Sequence, residues 1–273
     1  MGGPIAVQTS VVIPVWDAYV AQHLIDAVRS LREQDVPLRI IVVDNASQVA
    51  LPVLPGVSVV RSRTRLSLGE ARNFGLSRVN TPYVIFWDAD DVMLPGTLTS
   101  LEEAIGADSR LMAFGEAIVE EPSGRRHRWP RRWVAGLIRR PRLFALADAV
   151  WSSFPTTGAT ILRTDAVRDA GGFANSDSGE DWCLGVSLAF RGRLGWSERP
   201  GRLYRVHGES MWARHMTARH QLRHAATVRA RIRSDTHTPE LVKTALPLIA
   251  AAQVAAVLLH GLVAAARRPG PSR

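Results

Sequence analysis

The sequence is short of cysteine, of lysine and of any leader-like start, and it holds no internal repeat or low-complexity segment. A single cysteine, Cys183, stands among 273 residues. That excludes an internal disulfide framework and a multi-cysteine metal site, and it fits a reducing compartment. No structural zinc is expected. Lys243 is the only lysine, so the net charge of +9 is carried almost wholly by arginine. Where that charge clusters is more informative than its total. Met1 to Gln8 lack the basic start and long apolar stretch of a secretory signal, so a cytoplasmic setting is expected.

Hydrophobic residues make up 46% of the chain, enough to bury a core in one large domain or in one domain with a smaller appendage. The stretch Tyr83 to Asp91 stands out. An apolar run of strand formers ends in Asp88, Asp90 and Asp91. Three acids are costly at the edge of a core unless a cation or a hydroxylated ligand sits there. A polar turn ahead of Pro95-Gly96 would use the same residue types.

The neighbouring segments weigh against a mere turn. Ser10 to Val15 is a short β-branched strand, and Ala18 to Arg32 follows with helical spacing. Leu38 to Val43 is an apolar strand broken by turn formers from Asp44 to Ser47, and Val57 to Val60 is a third strand. Ser67 opens a helix, with Glu70 three positions on completing a capping-box pattern. After the Tyr83 strand come a helix through Leu98, Leu101 and Ile105, then strands over Arg110 to Ile118, Thr156 to Arg163 and Gly201 to His207. Strands that alternate with helices and read as continuous apolar runs imply a mostly parallel α/β sheet covered on both faces. In such sheets ligands bind beyond the carboxyl ends of the strands. Trp16 and Asp17, Asp44 and Asn45, and Asp88, Asp90 and Asp91 all fall at such ends.

Three later features admit two readings each. Glu180 and Asp181 open a helix, where acids serve either as dipole partners or as functional groups. His207 ends a strand, as a polar edge residue or as a metal or phosphate ligand. Eight arginines lie between Arg125 and Arg142 with no acid among them. This is either a solvated loop or a landing surface for an anionic partner. The interleaved Trp129, Trp133, Leu137 and Ile138 suit a membrane face, and nucleic acid is not expected because no binding motif accompanies the charge. Arg214 to Arg233 reads as a basic helix with little amphipathic order. Leu246 to Ala266 is apolar and close to the length that spans a bilayer. Its alanines, Pro247, Gln253 and His260 favour a helix packed on the domain, on a partner or at a membrane interface.

Seven pieces occur in an order that resembles the family 2 glycosyltransferases, which have the GT-A fold: Val11 to Trp16, Val42 to Ser47, Gly69 to Asn73, Asp88 to Asp91, Gly171 to Phe173, Glu180 to Trp182 and Tyr204 to His207. The resemblance covers most of residues 9–210. It implies a GT-A domain over 1–210 with an arginine-rich insertion at about 122–145, and a C-terminal helical extension over 211–273. It also implies inverting transfer of a sugar from a nucleotide-diphosphate sugar, usually a UDP-sugar, to an acceptor hydroxyl on a glycan or lipid-linked carrier, in cell-envelope glycan or polysaccharide synthesis. By the same resemblance Pro14, Trp16 and Asp44 would line the nucleoside pocket, and Gly69, Arg72 and Asn73 would lie by the nucleotide. Asp88 would face the ribose, Asp90 would hold Mg²⁺ or Mn²⁺ with His207 as an additional metal or phosphate ligand, Asp181 would be the general base and Glu180 would assist it. Where the family more often has tyrosine and asparagine after the first strand, this chain has Trp16 and Asp17; where two acids are common, it has Asp44-Asn45.

The chemistry asks for the same residue types. A departing diphosphate gathers negative charge that a cation held by carboxylates stabilises, and single-displacement inversion needs a base on the opposite face. The expected enzyme is cytoplasmic, with peripheral contact at the inner face of the cell membrane. A non-catalytic nucleotide-sugar-binding or scaffolding protein on the same fold is the alternative. A nucleotidyltransferase would call for a glycine- and lysine-rich loop near the N-terminus, which is missing.

Overall fold

Thr9–Val15 (β1) is buried along its whole length, as befits a strand in the middle of a sheet covered on both faces. It pairs in parallel with Leu38–Asp44 (β2) on one side and with Tyr83–Phe86 (β4) on the other, and Ser58–Arg61 (β3) extends the sheet beyond β2. Beyond β4 lie Thr160–Arg163 (β9), antiparallel to both its neighbours, then Met112–Phe114 (β6) and Leu194–Trp196 (β10), giving the order β10-β6-β9-β4-β1-β2-β3. The structure is a computed structural model and describes residues 7–20, 22–106, 109–130, 133–152, 154–206 and 217–266.

The two faces of the sheet follow the pleat. Val11, Ile13 and Val15 pack with Leu24, Val28 and Leu31 of Gln22–Arg32 (α1) and with Leu98, Leu101 and Ile105 of Thr97–Gly106 (α3). Val12 of β1, with Ile41 and Val43 of β2, faces the opposite cluster. That cluster takes in Leu68–Leu76 (α2), Trp133–Ile138 (α4), Pro141–Val150 (α5), Thr164–Asp169 (α6) and Glu180–Arg191 (α7). A second sheet stands beside the first, ordered Val92–Met93 (β5), Arg202–Arg205 (β11), Ala117–Glu120 (β7) and Arg126–Trp129 (β8). Ala218–Ser234 (α8), Glu240–Thr244 (α9) and Leu246–Ala266 (α10) close the chain. Val228, Ile232, Val242, Leu246 and Ile249 of these helices form a third cluster with Ala149 of α5 and with Cys183 and Val186 of α7.

Several expected segments differ in extent. The strand expected over Arg110 to Ile118 breaks at Gly115 and feeds both sheets, as β6 and then β7. The Gly115 N–H donates to the Ala159 carbonyl at 3.0 Å, and a Cβ at Gly115 would lie 2.8 Å from the Arg199 carbonyl oxygen. Only β9 survives of the strand expected from Thr156, because Gly158 takes a φ of +77° with the Arg202 side chain packed against it. The arginine-rich segment is built structure rather than a solvated loop. β8 pairs with β7, and Val134 and Ile138 of α4 are buried. The hairpin also supplies the acids that the local sequence lacks: Arg125 pairs with Glu121 at 2.6 Å, Arg126 with Glu120 at 2.7 Å and Arg128 with Glu116 at 2.9 Å. The helix α8 has a defined inner face made by Ala225, Val228 and Ile232. Among the described residues no helix is long and apolar enough to cross a membrane. His207 lies outside the described residues.

Candidate active site

The parallel register brings the carboxyl ends of β1 and β2 to one edge of the sheet, with Val15 opposite Asp44. Just past β4 the chain turns sharply: the Asp91 N–H donates to the Asp88 carbonyl at 3.2 Å, and the buried Trp87 indole N–H donates to the Asp91 carbonyl at 3.2 Å. This turn separates the three acids. Asp88 and Asp90 line a cavity of about 660 Å³ at the sheet edge, whereas Asp91 points into the protein and is only 1% exposed.

Two buried arginines serve these acids. Arg72 of α2 donates through Nη2 to Asp88 Oδ1 at 2.8 Å and through Nη1 to Glu180 Oε1, so one guanidinium ties the β4 turn to the start of α7. Burial works against the charge on Arg72, but Glu180, Asp88 and Asp181 more than offset it and keep the group protonated. Arg202 of β11 reaches Asp88 Oδ2 at 3.5 Å and lies 2.8 Å from Asp91 Oδ2. The Asp91 contact is an ion pair without hydrogen-bonding geometry, and neither Asp91 oxygen has a hydrogen-bond partner among the described residues. Burial pushes the Asp91 carboxyl well above the usual range, against the pull of Arg202.

Glu180 and Asp181 open α7 behind Gly179, whose φ of +76° turns the chain into the helix. Burial pushes the Glu180 carboxyl up to about 7 although Arg72 pulls against it. Its Oε2 is buried with no hydrogen-bond partner among the described residues. Asp181 is half-buried and lines the cavity. The loop ahead of α7 is locked to α2. Ser67 and Glu70 form the expected capping box, the Gly69 N–H donates to the Ser176 carbonyl at 3.0 Å, and the Leu68 N–H donates to Asp177 Oδ1 at 3.0 Å. A Cβ at Gly69 would collide with the Ala174 carbonyl, so only glycine allows this approach.

Of the residues singled out from the sequence, Pro14, Trp16, Arg72, Asp88, Asp90, Glu180 and Asp181 line the cavity together. Trp16 carries Arg65 over its ring at 4.5 Å and meets Tyr19 edge-on. Asp44, Gly69 and Asn73 are not in that lining. Asp44 receives Arg61 Nη1 at 2.5 Å and the Ser47 N–H at 2.9 Å. Asn73 spends its amide on Phe173, donating to the carbonyl and accepting from the N–H, both at 2.9 Å. Sequence reasoning passed over Arg202 and the cavity wall made by the C-terminal helices, which includes His224, Gln253 and Val257. Arg202 stood in an alternating strand, and nothing local marks it as turned inward.

No group of three or more His, Cys, Asp or Glu side chains among the described residues is arranged to hold a metal ion. Asp88 and Asp90 nevertheless give the cavity two hard oxygen donors. Oxygen donors of this type would suit a hard divalent cation such as Mg²⁺.

A seven-stranded, mostly parallel sheet with acids at its carboxyl edge and a smaller sheet beside it is the GT-A architecture of glycosyltransferases. Solved structures of Staphylococcus aureus TarS share it. The chain aligns with TarS 1–349 in complex with UDP-GlcNAc at a TM-score of 0.63 and 18% identity, covering 84% of this chain and 68% of that one. With TarS 1–349 alone the TM-score is 0.62 at 17% identity, covering 91% and 71%; with a further TarS structure it is 0.60 at 17% identity, covering 84% and 40%. No curated protein sequence matches the chain. The chain belongs to glycosyl transferase family 2, whose family model matches residues 10–171, and is a glycosyltransferase. Glu180 and Asp181 lie beyond the matched residues.

Proposed function

We propose that this glycosyltransferase takes a sugar from a nucleotide-diphosphate donor, a UDP-sugar foremost, and transfers it with inversion to an acceptor hydroxyl. The observation that carries the reading is the cavity that Asp88, Asp90, Glu180 and Asp181 line together, with Arg72 bridging Asp88 and Glu180. The UDP-GlcNAc in the TarS structure supports the donor class. Pro14 and Trp16 flank the nucleoside, Asp44 and Asn73 brace the strand end and loop behind it, and Gly69 allows the loop's approach. Asp88 faces the ribose, and Asp90 would hold Mg²⁺ or Mn²⁺, whose positive charge would stabilise a diphosphate leaving group.

Asp181 takes the acceptor's proton while the acceptor oxygen bonds to the anomeric carbon, and the old C–O electron pair leaves with the nucleoside diphosphate. Glu180 fixes Arg72 behind this step. Residues 1–210 form the GT-A domain and residues 211–273 the helical extension. Work at the inner face of a membrane, on cell-envelope glycans, belongs to the same reading. Leu248, Leu258 and Leu259, exposed along α10, support the membrane contact. The test is Asp181→Asn: transfer should fall at least about a thousandfold while UDP binding, read by thermal stabilisation, stays nearly unchanged. Normal transfer by this variant would remove Asp181 as the base.

A further inference from the structure

We propose that the acceptor presents its hydroxyl on an apolar body, which fills the part of the cavity walled by the C-terminal helices; this rests on the glycosyl-transfer reading and names its acceptor class. The lining divides in two. One half holds the acids and arginines already described. The other half is made by Val119, Trp129, Val150, Trp151, Val206 and Val257, drawn from the small sheet, α5 and α10.

Four of the polar side chains beside that half, Gln253, Trp182, His224 and Ser178, are engaged with the protein itself, while Ser152, Thr157, Tyr204 and His260 also line the cavity. Gln253 is 1% exposed; its amide nitrogen donates to the Ala149 carbonyl at 2.8 Å, and its oxygen receives Arg229. The Trp182 indole N–H donates to the Asp148 carbonyl at 2.6 Å. His224 Nε2 and Ser178 Oγ are hydrogen-bonded at 2.6 Å. Charged groups stay at the rim, where Glu121 pairs with Arg125 at 2.6 Å and lies 3.5 Å from His127.

A hydrophilic sugar pressed against the valines and tryptophans of this wall would give up water without a polar partner there, at about tenfold in affinity for each hydroxyl left unpaired. An alkyl or aryl body gains there instead, since burying each methylene is favourable. The wall is continuous with Asp181, so a body seated in it holds its hydroxyl beside the base. The transfer step keeps its balance: the acceptor oxygen bonds to the anomeric carbon, its proton passes to Asp181, and the C–O pair leaves with the diphosphate.

The test is calorimetric titration of the full chain with alkan-1-ols of four to eight carbons and with methyl β-glucoside. Thermal stabilisation by UDP with Mn²⁺ is measured on the same samples. Affinity should rise about threefold to fourfold per methylene until the cavity is full, with methyl β-glucoside weaker than the longest alcohol. Trp151→Ala should cut the affinity for the longest alcohol about tenfold or more. Val257→Thr, close in shape and so able to fold, should lower it severalfold. Stabilisation by UDP without any chain-length dependence would overturn the apolar acceptor and leave the donor reading standing. So would a chain-length dependence that survives both substitutions, because the alcohol would then bind elsewhere. Chain-length dependence in a protein that UDP does not stabilise would overturn both readings, since the pocket would have no donor beside it.

Discussion

Glu180 offers the sharpest test of the electrostatics, because two opposed forces act on one buried carboxyl. Burial raises it from an ordinary value of 4.5 to about 7, and Arg72 pulls the other way. The sign follows from linkage. Below about pH 4.5 the group is protonated both folded and unfolded, and its contribution to stability is fully present. As the pH rises toward 7 the unfolded chain releases the proton while the folded protein keeps it, so stability falls, and above about 7 the contribution is gone. The full span corresponds to about 3 kcal/mol, of which about 2 kcal/mol lies between pH 5 and pH 7.5. Glu180→Gln keeps a carbonyl for Arg72 and cannot ionise. Whatever constant cost it carries cancels when its stability relative to wild type is compared at the two pH values. Urea unfolding at pH 5 and pH 7.5 should show the variant gaining about 2 kcal/mol on the wild type as the pH rises. An equal difference at both values, or a gain at the lower one, would mean that Arg72 holds the carboxylate ionised against the cost of burial.

His224→Ala removes the ring hydrogen-bonded to Ser178 and packed beside Gly179, immediately ahead of Glu180 and Asp181. Steady-state kinetics should show kcat down about tenfold or more with UDP binding kept, and His224→Gln, which retains a polar reach toward Ser178, should recover part of it; an unchanged kcat would mean α8 does not position the base. Leu258→Glu with Leu259→Glu places two charges on the exposed face of α10. Flotation with anionic liposomes should fall severalfold, and undiminished flotation would take α10 out of any membrane contact.

The strands and helices that carry their own signal were legible from the residues alone. β1, β2 and β4 are continuous apolar runs, α2 announces itself by Ser67 and Glu70, and α10 runs over the stretch read from its composition. What stayed hidden depends on contacts between distant segments. The acid-free run of arginines gave no hint of Glu116, Glu120 and Glu121, which only the β7–β8 pairing brings opposite. Gly115 and Gly158 looked like tolerable glycines within strands, yet each ends a strand because another chain segment packs against it.

Asp88, Asp90 and Asp91 show the same limit within four residues. Their sequence marks a site but cannot divide the labour, since all three are identical side chains after one strand. The division comes from Trp87 and Arg202: the indole N–H pins the Asp91 carbonyl and fixes the turn, and the guanidinium reaches in from the second sheet to meet Asp91 and the back of Asp88. Asp91 is thereby spent on joining the two sheets. Asp88, held by Arg72 from one side and Arg202 from the other, is left with a fixed orientation toward the cavity, which Asp90 lines beside it. A cation entering here therefore competes with two guanidinium groups for Asp88. Under the proposed function, that competition suits Asp88 to the ribose better than to the metal.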